Sequence, residues 1–255
     1  MKKLLLIGLF SAMAVGAYAQ GTIVFSDRVV GALIFSIYAP QAASPTVEVM
    51  GQSSQLGPSP GTGTLDYPAG TTVYDSTSLL GGASGAAVGL TGPFTPGSPV
   101  YTYGNQFTAA LYAAPGSGDA LNTLSLVPQY EGSFRTAMNT GTGTWVANAI
   151  SGTDPGIPNT PAYVATVAVA AWYNDGGTIT TLAQAQADKV PWGESAAVTI
   201  SGLGGSGTPP GPAPNLVGIT SFSLVTGALS SIPEPSTIAL GLMGVCGFLA
   251  RRRMK

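Results

Sequence analysis

The chain has no histidine and only one cysteine, Cys246. Without histidine there is no Ser-His-Asp triad and no imidazole ligand for a transition metal. Without a second cysteine there is no disulfide within the chain and no thiolate-built metal site. Charge is scarce too: Asp, Glu, Lys and Arg make up 8% of the residues, against about 25% in ordinary domains. The signatures of several large enzyme classes are also missing. There is no G-x-S-x-G elbow, no P-loop and no H-E-x-x-H. The span Gly202 to Gly207, "GLGGSG", fits G-x-G-x-x-G in form, but "TPPGPAP" follows it. Prolines at that density cannot build the helix on whose N-terminus a pyrophosphate would sit.

The formal net charge of −2 conceals an uneven distribution. Six of the nine basic residues lie at the two ends: Lys2, Lys3, Arg251, Arg252, Arg253 and Lys255. Between Gln20 and Ile232 three cations (Arg28, Arg135, Lys189) stand against ten carboxylates, a net of −7. Such a body cannot neutralise a run of phosphates, which argues against nucleic acid as a partner. It is equally ill-suited to anionic lipid headgroups.

What the chain does have is glycine, proline and short apolar runs. There are 36 glycines and 20 prolines in 255 residues, and hydrophobic residues reach 45%, enough for a core. Turn residues punctuate runs of strand character at Thr22–Ser26, Leu33–Tyr38, Thr46–Met50 and Thr71–Tyr74. Gln106–Ala113 alternates, with Phe107, Ala109 and Leu111 on one face and Thr108, Ala110 and Tyr112 on the other. Leu124–Tyr130, Ser133–Thr136, Thr144–Ala147, Ala196–Ser201 and Ile219–Val225 read as further strands. The longest run, Tyr163–Tyr173 ("YVATVAVAAWY"), is apolar or small on both faces, as a central strand covered on both sides would be. "YNDGG" after it reads as a turn whose residues tolerate positive φ. One short helix is expected, over Thr180–Lys189. Gly81–Pro99 and Gly202–Pro214 read as loops or linkers. Many short strands separated by turns predict an all-β chain, an antiparallel β-sandwich with Gly/Pro-rich loops. The expected organisation is a signal peptide at 1–19, a sandwich body at 20–201, a linker or loop at 202–218, a last strand and spacer at 219–231, and a C-terminal signal at 232–255.

The body offers few chemical groups. Paired carboxylates can hydrolyse glycosidic bonds, and the candidates are Glu48, Glu131, Glu194, Asp66, Asp75, Asp119, Asp154, Asp175 and Asp188. Most of the aspartates sit in turns such as "GSGDA", "GTDPG" and "NDGG", where Asp commonly bonds its own backbone. Turn aspartates can also ligate calcium, but no run resembles D-x-[DN]-x-[DN]-G, so neither metal nor cofactor is expected. Trp145, Trp172 and Trp192 could form a sugar-stacking platform. Trp172 reads as core, whereas Trp192, in "KVPWGES", is the best candidate for exposure.

The ends are more explicit. Residues 1–20, "MKKLLLIGLFSAMAVGAYAQ", open on two lysines, continue as an apolar run and close on Ala17-Tyr18-Ala19. That is the pattern of an export signal cleaved by signal peptidase after Ala19, leaving Gln20 first. The last 24 residues read "IPEPSTIALGLMGVCGFLARRRMK". As a helix, the run 236–250 spans about 22 Å at ~1.5 Å per residue, short for a bilayer core of about 30 Å. Arg251, Arg252 and Arg253 can snorkel to headgroups and would keep the C-terminus cytoplasmic. Pro233 and Pro235 hold Ile232 and Glu234 in extended conformations just outside the membrane, presenting a charged handle.

Pro233-Glu234-Pro235, the following Ser236-Thr237, the span to Ala250 and Arg251–Arg253 closely resemble the PEP-CTERM sorting signal. The resemblance covers about 24 residues and is specific in combination with the N-terminal signal. It implies a substrate of an exosortase, a membrane-embedded cysteine transpeptidase of Gram-negative bacteria, which processes such proteins near the motif. It further implies transient anchoring in the inner membrane, then passage to the envelope, the cell surface or an exopolysaccharide matrix. The catalytic residues of that reaction belong to the exosortase, and none transfers to this chain. In the body, "FTAALYAAP", "GSFRT", "GTWV" and "VAVAAWYNDGG" are similar to a recurrent β-rich type among PEP-CTERM proteins, which brings no activity with it. The expected role is therefore a non-enzymatic structural or adhesive protein, with a carbohydrate-binding module and a carboxylate-dependent glycan hydrolase as alternatives.

Overall fold

The computed structural model describes residues 21–29, 32–41, 43–54, 66–74, 106–134, 145, 156–157, 160–205 and 211–226. Strands dominate them, mostly in antiparallel pairings, with one short α-helix and a few 3₁₀ turns. Three strands of two residues come first: β1 (Arg28–Val29), β2 (Leu33–Ile34) and β3 (Ile37–Tyr38). The main sheet follows, built from β4 (Phe107–Pro115), β5 (Ser125–Ser133), β6 (Val164–Tyr173), β7 (Trp192–Glu194) and β8 (Val198–Ser201). Helix α1 (Leu182–Ala187) lies between β6 and β7, and β9 (Phe222–Ser223) comes last.

The main sheet runs in the order β5-β4-β6-β7, with β8 pairing β6 beside β7. All of its pairings are antiparallel. β4 and β6 stay in register for nine residue pairs, from Phe107↔Tyr173 to Pro115↔Ala165. The sequence "VATVAVAAWY" explains why β6 is central: small and β-branched residues fit a strand covered on both faces, and every position after Val164 is buried. β5 shifts register against β4 between Ala110 and Tyr112. Pro128 falls in that irregular stretch, where a missing N–H costs no regular ladder bond. This strand covers most of the run predicted at Leu124–Tyr130 and ends at Ser133. Of the run predicted at Ser133–Thr136, Phe134 forms a single bridge with Trp145, and 135–136 lie outside the described residues.

Alternation along the strands divides the packing. Ala109, Leu111, Val167, Val169 and Ala171 face the larger core with Ile23, Phe25, Phe35, Ile37, Leu216 and Phe222. Ala110, Ala170 and Trp172 face the other way, against Ile179, Leu182 and Ala185 of the α1 region. The segment before residue 81 thus shares its core with strands after residue 106. Trp145 extends that core, with its ring 4.8 Å from Phe25 and 5.5 Å from Phe35. β9 pairs in parallel with β3, Ile37↔Phe222 and Tyr38↔Ser223, and β1 pairs with β2. The runs predicted at Thr22–Ser26, Thr46–Met50 and Thr71–Tyr74 appear only as single bridges, at Thr22, Val24, Met50 and Thr72.

The turn after β6 forms as its residues predict. Asp175, Gly176 and Gly177 take φ of 47°, 65° and 95°, and the Asn174 side chain accepts the Gly176 N–H. α1 begins at a capping box: the Thr181 hydroxyl accepts the Gln184 N–H, and the Gln184 side chain accepts the Thr181 N–H. The stems of the glycine/proline loop are packed onto the body. Leu203 is fully buried, Thr22 and Gly204 exchange backbone hydrogen bonds, and Val24 donates to Pro214. Gly204 has no room for a side chain, because a Cβ there would lie 2.2 Å from Thr22 Oγ1 and 2.8 Å from Ala213 Cα.

One expectation is overturned. Trp192 is 3% exposed, not a surface residue. The run "PWGE" carries no strand period of its own; it pairs with β6 at Trp172↔Trp192, so the ring packs on the α1 side. Among the described residues no helix is long and apolar enough to cross a membrane. Gly81–Pro99, the signal segment and the C-terminal tail lie outside the described residues.

Candidate functional site

The residues singled out for sorting and cleavage lie outside the described residues: Ala17, Ala19 and Gln20, Pro233, Glu234 and Pro235, Arg251, Arg252 and Arg253. So do the carboxylates Asp75 and Asp154. Of the other aspartates, Asp119 accepts the Thr166 hydroxyl at 3.1 Å and Asp175 accepts the Thr178 hydroxyl at 3.0 Å. Asp188 caps the end of α1. These three serve local structure, as turn aspartates commonly do. The three tryptophans form no sugar-stacking platform: Trp145, Trp172 and Trp192 are 1%, 0% and 3% exposed.

Two carboxyls are built into the interior. Asp66 is 1% exposed, and its Oδ2 accepts the Ser53 N–H at 2.6 Å and the Ser221 hydroxyl at 2.5 Å. Burial holds its carboxyl above the usual carboxylate range, although these bonds and the neighbouring Ser36 oppose the shift. Beside it the rings of Tyr38 and Tyr74 stack at 3.8 Å, and the Tyr74 hydroxyl lies 2.6 Å from the Gly51 carbonyl oxygen and 2.8 Å from that of Ser221. Asp27, which no sequence pattern marks, is fully buried and accepts the Trp145 N–H at 3.0 Å.

Glu48 and Glu194 meet at β7. Glu48 Oε1 accepts the Glu194 N–H at 2.8 Å, standing where a neighbouring strand's carbonyl would stand. Gly193 permits this approach: a Cβ there would lie 3.1 Å from Glu48 Oε1 and 2.7 Å from the Ser223 carbonyl oxygen. Burial pushes the Glu48 carboxyl up to about 8, with the Glu194 charge adding to the rise and the backbone hydrogen bond opposing it.

Glu194 also belongs to a second constellation. The register Glu131↔Ala110, Ala110↔Ala170, Ala170↔Glu194 places two glutamates in one row across four strands, separated only by alanine methyls. Next in β4 on the same face is Tyr112. Its hydroxyl oxygen accepts the Leu182 N–H at 3.1 Å. Burial raises the Tyr112 phenol, and the charges of Glu131 and Glu194 raise it further, so it stays protonated. Burial also raises the carboxyls of Glu131 and Glu194.

A groove of about 510 Å³ opens beside Tyr112 at the Glu194 end of this row. It is lined by Tyr112 of β4, Leu121 and Asn122 of the following 3₁₀ turn, Leu124, Leu182, Ala183 and Gln186 of α1, and Glu194. Its volume falls in the range of about 300–1,000 Å³ of small-molecule sites. The lining supplies an aromatic ring, apolar walls, two primary amides and one carboxylate. Glu48 and Glu131 are not part of it, so the touching pair Glu48–Glu194 does not present two carboxyls to this groove. The sequence marked Glu194 but not the groove, because its members come from four separate stretches. Among the described residues, no group of three or more Cys, Asp or Glu is arranged to hold a metal ion. No family model matches this chain, and neither a curated protein nor a solved structure matches it.

Proposed function

We propose that this chain is an exported, non-enzymatic structural or adhesive protein of the cell surface or extracellular matrix. Its N-terminal segment is an export signal removed by signal peptidase, its body a β-sandwich, and its tail a PEP-CTERM sorting signal with a short transmembrane helix. The observation that carries the reading is the order of elements in the tail: Pro233-Glu234-Pro235, an apolar run at 236–250, then Arg251–Arg253. Each element has a separate physical job: presenting an extended site, parking it in the bilayer and fixing orientation. The low charge of the body, with its buried aromatic core, suits a hydrated polysaccharide matrix and supports the same reading.

Mass spectrometry of the mature protein from its host tests this. The expected product begins at Gln20 and ends near Pro233–Pro235. A product intact through Lys255 would overturn the sorting reading and leave a permanent tail anchor.

A further inference from the structure

We propose that the groove between α1 and the 3₁₀ turn at Leu121–Thr123 binds a neutral glycan segment and rejects uronate-containing ones. The proposal deepens the matrix role and rests on it only for the source of the ligand.

The argument starts from Glu194. Its carboxylate lines the groove, and it has no hydrogen-bond or ion-pair partner among the described residues. A half-buried carboxylate without a partner keeps acceptor sites that a ligand can fill. Sugar hydroxyls supply the matching donors. Asn122 and Gln186 line the same groove, and each amide offers both a donor and an acceptor, which suits hydroxyls that do both. Leu121, Leu124 and Leu182 provide apolar wall for the C–H faces of a pyranose. Tyr112 offers the groove its ring and its O–H proton, the hydroxyl oxygen being the acceptor of the Leu182 N–H.

Charge sets the selectivity. Among the described residues no lysine or arginine lines the groove, Glu194 and Glu131 act on the same tyrosine, and the body carries a formal net of −7. A ligand carboxylate would meet unopposed negative charge at low dielectric. Hydroxyls meet only acceptors and amides. An apolar peptide would leave Glu194 and both amides unsatisfied, which disfavours it.

The test is titration calorimetry on the full-length chain in mild detergent, with gluco-, manno- and galacto-hexasaccharides and with hexagalacturonate. At least one neutral hexasaccharide is expected to bind, and hexagalacturonate is expected to bind at least tenfold more weakly. Gln186→Ala sits on a helix position that alanine suits and should weaken neutral binding about tenfold by removing one hydrogen-bonding group. Glu194→Gln should keep neutral binding and narrow the gap to hexagalacturonate. Circular dichroism of both variants confirms that the sheet is retained. Absence of neutral binding at millimolar concentrations, equal binding of hexagalacturonate, wild-type neutral affinity in Gln186→Ala, or an unchanged gap to hexagalacturonate in Glu194→Gln would each overturn the proposal. The result is independent of C-terminal processing, so failure here and failure of the sorting reading are separately visible.

Discussion

Replacing Glu48 with glutamine should make the protein more stable in alkaline solution and leave it nearly unchanged in acid. Glu48 keeps its proton in the folded chain up to about pH 8, against an ordinary value of 4.5. Between those two values the folded state holds a proton that the unfolded state has lost, so stability falls as pH rises and levels off above about 8. Each pH step of one between them is worth about 1.36 kcal/mol, which sets a ceiling of about 5 kcal/mol on the loss from this one group. Glu48 keeps some contact with water, which screens the effect, so roughly half of that, about 2–3 kcal/mol, is expected. Glu48→Gln never ionises, and its side-chain oxygen can still accept the Glu194 N–H. Urea denaturation at pH 5, 7 and 9 provides the assay, with the buried tryptophans as fluorescence reporters. The two proteins should unfold at similar urea concentrations at pH 5 and diverge progressively by pH 9, the variant being the more stable. Asp66 contributes to both proteins and cancels in the difference, while Glu194, whose charge acts on Glu48, is relieved of that repulsion in the variant and shifts the difference in the same direction. Parallel curves across the whole range would refute the reasoning.

Two further outcomes follow from the interior. Asp66→Asn keeps an acceptor for the Ser53 N–H and the Ser221 hydroxyl while removing a charge that burial resists, so it should stabilise the chain above pH 7. A drop in thermal midpoint at pH 8 would show that the aspartate is held ionised. Gly204→Ala should cost about 2–3 kcal/mol, because the added methyl meets the Ala213 backbone, which cannot swing away, as well as the Thr22 hydroxyl. An unchanged urea midpoint would show that the loop stem is not held against residues 22–24.

The residues made the local structure legible where period and turn chemistry agreed. "YVATVAVAAWY" announced a strand covered on both sides, "FTAALYA" its alternating neighbour, and "NDGG" and "TTLAQAQ" the turn and the capped helix beside them. Trp192 shows where that reading stops: "PWGE" is too short to display a period, and it is a strand only because Ala170–Trp172 provides a ladder. Of the strands predicted before residue 81, Leu33–Tyr38 formed β2 and β3, whereas Thr22–Ser26 shrank to single bridges because its hydrogen bonds go to the loop segments around Gly204 and Pro214, whose prolines and glycines carry no strand signal. Glu194 was legible as a candidate carboxylate, but the groove was not, since it exists only once β4, the 3₁₀ turn, α1 and β7 are brought together. Glu48 was equally illegible as a partner of β7, from which it is separated by almost 150 residues of chain.

That last contact has a consequence for how the molecule protects itself. The outward N–H groups of β7 are taken by Val225, at Trp192, and by the Glu48 carboxyl, at Glu194. Many sheets deter foreign strands with a rim of lysines, and this body has only one lysine. It seals the rim with its own remote segments instead. One of those segments is nearly the last of the described chain, so a molecule emerging N-terminus first keeps this rim open until residue 225 has arrived. During that interval the Trp192 N–H lacks its Val225 acceptor, and an unpaired strand edge of this kind is where a foreign strand can add.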